Sequence, residues 1–185
     1  MPGLTIHYII ALKSAEKNNI KDIQEYVNGS FYPDFYQKPQ SHYTDKTKIQ
    51  SHFDDLVYKV NLFPYPAEHD ITTDFDKGYF LHLLTDYLFY HELCIKKYNI
   101  DKNFLNCMGA LGKEYTKINK ALFELYNYGN EYIDDEYQKF FLVTDQDPEF
   151  FTKQELKKFV EHCANINIEQ EYINVKNGIL PTYDL

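Results

Sequence analysis

The chain reads as an all-α protein, a compact multi-helix single domain built around a central buried helix. Three observations predict this. Apolar residues recur at three- and four-residue spacing along several segments. No segment shows the apolar–polar alternation of a half-buried strand. One segment, Asp74 to Tyr98, is apolar almost all the way round, as a helix enclosed by protein must be. The 185 residues fit one domain that can bury most of its apolar surface, and no linker, repeat or low-complexity tract divides residues 1–185.

Leu4, Ile6, Ile9, Ile10 and Leu12 lie on one side of a first helix running from Gly3 to about Lys17, ended by Asn18 and Asn19. A second, short helix is predicted from Lys21 to Tyr26, closed by Asn28 and Gly29. From Gly29 to Gln50 the chain carries Pro33, Pro39 and several Tyr without a sustained period. It reads as a long irregular segment, a kind that is often functional. A helix from His52 to Val60 follows, and Phe63-Pro64-Tyr65-Pro66 reads as an extended connection. Phe75, Tyr79, Phe80, Leu83, Leu84, Tyr87, Leu88 and Leu93 make Asp74 to Tyr98 the central helix. Helices are further predicted over Asn103 to Tyr128 and Glu131 to Leu142. Thr152 with Glu155 forms a capping box for a helix to Cys163. A last short helix covers Ile168 to Val175, before Gly178 and Pro181 release the tail.

Hydrophobic residues make up 44% and charged residues 25% of the chain, so a folded domain is expected rather than disorder. Eighteen Tyr and fourteen Phe accompany a complete lack of Trp, and all 19 basic residues are Lys. That bias matches an AT-rich genome and lowers the weight of aromatic content by itself. A formal net charge of −9 opposes nucleic acid and anionic lipid as main partners, while leaving room for a small phosphorylated substrate beside a bound cation. Cys94, Cys107 and Cys163 are odd in number and widely spaced. They read as reduced thiols, not as a disulfide framework or a metal knuckle. No signal peptide opens the chain and no apolar run nears the ~18 residues a membrane span needs, so a cytoplasmic protein without a transmembrane segment is expected. Oligomeric state is not readable.

The chemistry-bearing string is Gly78-Tyr-Phe-Leu-His82-Leu-Leu-Thr-Asp86. His82 and Asp86, four apart, share one helix face, so an imidazole nitrogen and a carboxylate oxygen can meet at one cation. An ionised Asp on a buried helix demands a partner, which can be a metal or a His in a core hydrogen-bond pair. Three further places bear on the choice. They are His7 in Thr5-Ile-His-Tyr8, Asp34 in Gly29-Ser-Phe-Tyr-Pro-Asp34, and His52 in Ser51-His-Phe53. Each also has an ordinary reading, as a satisfied core His, a turn Asp and a surface His at a helix start.

These strings, in this order over residues 1 to 95, resemble the bacterial zinc-dependent phospholipase C-like family, in particular its small members from low-GC bacteria. The resemblance implies a helical scaffold whose His and Asp side chains hold divalent metal beside a phosphodiester. It implies His7, Asp34, His52, His82 and Asp86 as ligands, with His42 the alternative to His52. It further implies zinc, as one or two ions, with Asp34 and Asp86 in catalytic roles: Asp34 as ligand or general base, and Asp86 able to bridge two ions. The further His, His and Glu group of the larger phospholipases has no counterpart of matching spacing; His91, Glu92 and His162 do not repeat it. The resulting expectation is a metal-dependent hydrolase of a phosphoric ester, with metal-activated water as nucleophile. The alternative from a different class is a non-catalytic helical domain with a structural metal or a buried His/Asp network. A partner-binding module using Phe31 to Tyr43 is a third reading. His69-Asp70 follows two prolines and reads as a surface feature, and Tyr32, Tyr43 and Tyr87 read as packing.

Overall fold

The computed structural model describes residues 3–36, 43, 61–94, 104–128 and 131–183. Among these, every regular element is helical: α1 (Leu4–Ser14), α2 (Ile23–Phe35), α3 (Pro64–Glu68), α4 (Asp74–Tyr87), a π-helical segment (Leu88–Cys94), α5 (Phe104–Leu125), α6 (Asp135–Gln138), α7 (Lys153–Ala164) and α8 (Ile168–Lys176). The all-α fold expected from the spacing of apolar residues is the fold observed.

α4 is the central helix. Thr73 and Asp76 close a capping box at its start, which satisfies two orphan donors. Phe80, Leu81, His82, Leu83, Leu84, Thr85 and Asp86 are then all buried, so the helix is enclosed on every side. After Tyr87 the winding loosens to the π form through Cys94. Such one-turn widenings recur beside functional sites. Phe89 in this segment packs against Phe151 and Phe159, with ring centroids 5.4 and 5.5 Å apart. That contact ties α4's continuation to α7. One apolar core runs from Leu4 to Tyr183. Asn18, just past α1, donates to Ile166 O at 3.1 Å and accepts from Ile168 N at 2.8 Å, fastening the N-terminal helix to the start of α8.

Three expectations are corrected. α2 does not stop at Tyr26; it continues through Gly29 and Pro33 to Phe35, so the irregular segment cannot begin at Gly29. A Cβ on Gly29 would fall 2.1 Å from Phe75 O, so this glycine is a close-packing contact and not a stop. Burial against α4 outweighs the ~3 kcal/mol that a mid-helix proline costs. Second, Pro64 opens the short helix α3 where an extended connection was expected, because proline suits the first helical position. Third, the helix predicted from Glu131 to Leu142 shrinks to the single turn α6. Beyond it, Asn119 Nδ2 donates to Phe140 O (3.4 Å) and Leu142 O (2.9 Å), while the Phe141 ring meets Tyr8 and Phe31. Tertiary partners here replace the intrahelical ones. The helix predicted at His52 to Val60 lies outside the described residues. No helix among the described residues is long and apolar enough to cross a membrane.

Candidate metal centre

The centre is built on a register. Asp22 N donates to the Asp74 carboxylate at 2.8 Å, and His82 Nδ1 lies 2.7 Å from Ser30 O. A Cβ on Gly78 would fall 2.0 Å from Tyr26 O. Each of these pairs is 52 apart in sequence, so α2 and α4 run parallel in one constant register. The same offset sets Asp34 level with Asp86, one turn beyond the Ser30–His82 contact. Two glycines allow the approach, since Gly29 and Gly78 each press on a carbonyl of the opposite helix. α1 runs antiparallel to α2: Tyr8 packs on Phe31, and Ser14 Oγ is 2.8 Å from the Tyr26 hydroxyl. That direction brings His7, in the second turn of α1, to the ends of α2 and α4.

Four side chains from three helices therefore meet. Donor atoms of His7, Asp34 and His82 all lie within 4.8 Å of one another, and this group could hold a metal ion. Asp86 stands beside them, with Oδ1 3.2 Å from His7 Nε2 and Oδ2 3.6 Å from His82 Nε2. The two imidazoles stack nearly parallel, with centroids 3.9 Å apart and planes 13° apart. His7, His82 and Asp86 are at most 1% exposed, whereas Asp34 is partly buried. Neither His7 nitrogen makes an aligned hydrogen bond among the described residues, although Nε2 is close to Asp86. A buried imidazole beside a carboxylate in this way can offer a nitrogen to a cation.

Electrostatics separates the two rings. Burial and the neighbouring His82 lower the pKa of His7 to about 4, with Asp86 opposing, so His7 is neutral at pH 7. Burial also pulls His82 down, but Asp86, Asp34 and the Ser30 carbonyl raise it above its ordinary value overall. Burial would raise Asp86; His82 and His7 instead hold it well below the usual carboxylate range. Without metal, these opposed shifts favour a proton on His82 beside an ionised Asp86. Ser30 O takes the Nδ1 proton of His82, so Nε2 is the nitrogen left to face a metal or Asp86. Asp34 sits at the end of α2, the negative pole of that helix dipole, which also favours a cation.

Of the residues expected from sequence, His7, Asp34, His82 and Asp86 are brought together, while His52 and His42 lie outside the described residues. Glu92 is engaged elsewhere, accepting from Tyr183 N at 3.3 Å, and His162 lies edge-on to Tyr183. His69 and Asp70 are exposed at the end of α3, where the Tyr172 hydroxyl donates to His69 O at 2.8 Å, so that dipeptide is a surface feature. Tyr32 packs among Tyr36, Phe75 and Tyr79. Cys94 and Cys163 are buried free thiols, and burial pushes Cys163 far above its ordinary pKa. Sequence reasoning missed Ser30 and the glycine pair. An isolated glycine inside so apolar a helix as α4 was the available sign of close backbone approach. Fold and site together define a helical protein with a buried two-His, two-Asp centre. No protein family, curated protein or solved structure matches the chain.

Proposed function

We propose that this protein is a divalent-metal-dependent hydrolase acting on phosphoric esters, with zinc the leading ion. The observation that supports the reading is the convergence of His7, Asp34 and His82 within 4.8 Å beside Asp86. Two imidazole nitrogens and one carboxylate oxygen suit zinc and leave coordination open for water. A bound ion would lower the pKa of that water to ~7 and offset charge on a phosphoryl group. Among the chain's own groups, Ser30 O orients His82, Asp86 holds both rings in place, and Asp34 is a ligand or a general base. The phosphoester half of the proposal comes from the ordered resemblance of residues 1 to 95.

Burial favours a second reading, a structural metal centre without catalysis. His7, His82 and Asp86 are almost sealed from solvent among the described residues. One experiment separates the two. Protein purified without added metal is analysed for transition metals, then assayed with bis(4-nitrophenyl) phosphate before and after chelation and zinc return. About one equivalent or more of metal, and hydrolysis lost and recovered with it, is the expected result. Less than half an equivalent, with no thermal shift on adding zinc or manganese, refutes the centre. Full occupancy without turnover refutes the hydrolase and leaves the structural reading.

A further inference from the structure

We infer that the cleft beneath the carboxyl-terminal tail binds a small alkylammonium, a primary ammonium head on a short apolar chain. None of its residues belongs to the metal centre, so the inference stands apart from the reading above. The cleft is made by the way α8 ends. Gly178 takes φ +82° and turns the chain back on the helix. Its N–H donates to Val175 O at 3.0 Å and that of Ile179 to Asn174 O at 2.9 Å, the two bonds of a Schellman cap. Pro181 and Tyr183 are buried, and the Tyr183 ring meets Phe159 with centroids 5.6 Å apart, so the returning tail is anchored as a wall. Between this wall, α8 and the end of α7 lies a cleft of about 300 Å³, at the lower end of ligand-sized cavities.

Its lining sets what it takes. Ile166, Ile179, Leu180 and Pro181 supply apolar contact. Glu171 supplies a carboxylate, and Asn174 Nδ2 fixes it by donating to Oε2 at 3.0 Å. Gln170 Nε2 donates in turn to Asn174 Oδ1 at 3.1 Å, so the amide is held from both ends. No lysine lines the cleft, and none pairs with Glu171 among the described residues. Lys176 lies 3.6 Å from Asp70, and Lys17 donates to Asn165 O. A fixed carboxylate beside apolar side chains, with no cation of its own, matches an ammonium joined to a hydrocarbon. The carboxyl end of α8 and the net charge of −9 add to the attraction for a cation.

The test titrates the full isotope-labelled chain and follows the backbone amide signals of Asn174, Ile179, Leu180 and Thr182. Hexylammonium, hexanol and hexanoate are the probes. Hexylammonium is expected to shift these signals to saturation with a Kd of about 1 mM, hexanol to bind about tenfold more weakly or worse, and hexanoate not to bind. Glu171→Gln keeps an acceptor for Asn174 while removing the charge, and should weaken hexylammonium about tenfold at unchanged Tm. Ile179→Ser, at a side chain 58% exposed, should weaken it about threefold. Shifts that never saturate or that spread evenly over the acidic surface overturn the site. Hexanoate binding as tightly as hexylammonium, or full affinity in Glu171→Gln, overturns it too. If Glu171→Gln fails to fold, Ile179→Ser decides alone, and wild-type affinity there refutes the inference.

Discussion

Gly78→Ala probes the contact that sets the register of the centre. The added Cβ would stand 2.0 Å from Tyr26 O and 3.0 Å from Ser30 N, both backbone atoms that cannot rotate away. Carbon–oxygen contacts are comfortable near ~3.3 Å, so α2 must retreat by about 1.3 Å. Ser30 O, one turn further along α2, lies 2.7 Å from His82 Nδ1. The same retreat takes that separation to about 4 Å, beyond a hydrogen bond. Overpacking costs about 1–3 kcal/mol and the lost bond about 1 kcal/mol, offset by about 1 kcal/mol from alanine's better helix propensity. The net is about 2 kcal/mol, which is about 4–8 °C in Tm for a chain of this size. Loosening the group that orients a metal-bound His also weakens metal affinity by about 10–100-fold. Thermal melts with and without zinc, together with a competition titration, read both effects. Gly178→Ala is the control. Gly178 has φ +82° and open space around it, so alanine there costs about 1 kcal/mol of backbone strain and leaves metal affinity unchanged. If Gly78→Ala melts with wild type, or loses stability while binding zinc equally well, the register argument is wrong.

Asp86→Asn leaves the His82 proton buried without its carboxylate and should cost metal-free protein about 3–5 kcal/mol in urea melts; a loss under 1 kcal/mol contradicts the buried pair. His7 carries a pH signature. Its folded pKa of about 4 lies below the ordinary 6.5, so the unfolded chain binds the proton first and stability falls as pH drops from about 6.5 to 4, by about 3 kcal/mol in total. His7→Gln should flatten that limb relative to wild type, and an unchanged slope rules out a buried neutral His7. His82 acts in a different window, adding stability below 6.5 that is lost as pH rises through its raised folded value. Asn119→Ala removes the amide that holds Phe140 O and Leu142 O, for about 1–2 kcal/mol and faster amide exchange at residues 139–143. Exchange unchanged there would show that ring packing alone holds the segment.

How far the site was legible depended on whether its parts were local. His82 and Asp86 are one turn apart on one helix, so their meeting follows from helical geometry, and the apolar surround of α4 marked them as buried. His7 and Asp34 were visible only as residue types in an order resembling a known family. Nothing local says that α1 runs back along α2, or that α2 and α4 share an offset of 52. The helix read from Asp74 to Tyr98 is helical through Cys94, but its change to π winding after Tyr87 was not legible, because the widening leaves the apolar pattern unchanged.

The sequence by itself determined the helices whose apolar period, caps and length agree: α1, α4, α5, α7 and α8, and with them the fold class. Capping boxes and i, i+4 pairs are short-range, so they act the same wherever the helix lies. Tertiary structure decided the rest. Gly29 and Pro33 end a helix on local grounds, yet α2 runs through both because its backbone packs directly on α4. The stretch from Glu131 to Leu142 has a helical pattern, yet unwinds because Phe141 and the Asn119 amide offer better partners than its own next turn. The convergence of Asp34 with His7 and His82 arises from backbone contacts between distant segments, whose energies no local propensity encodes.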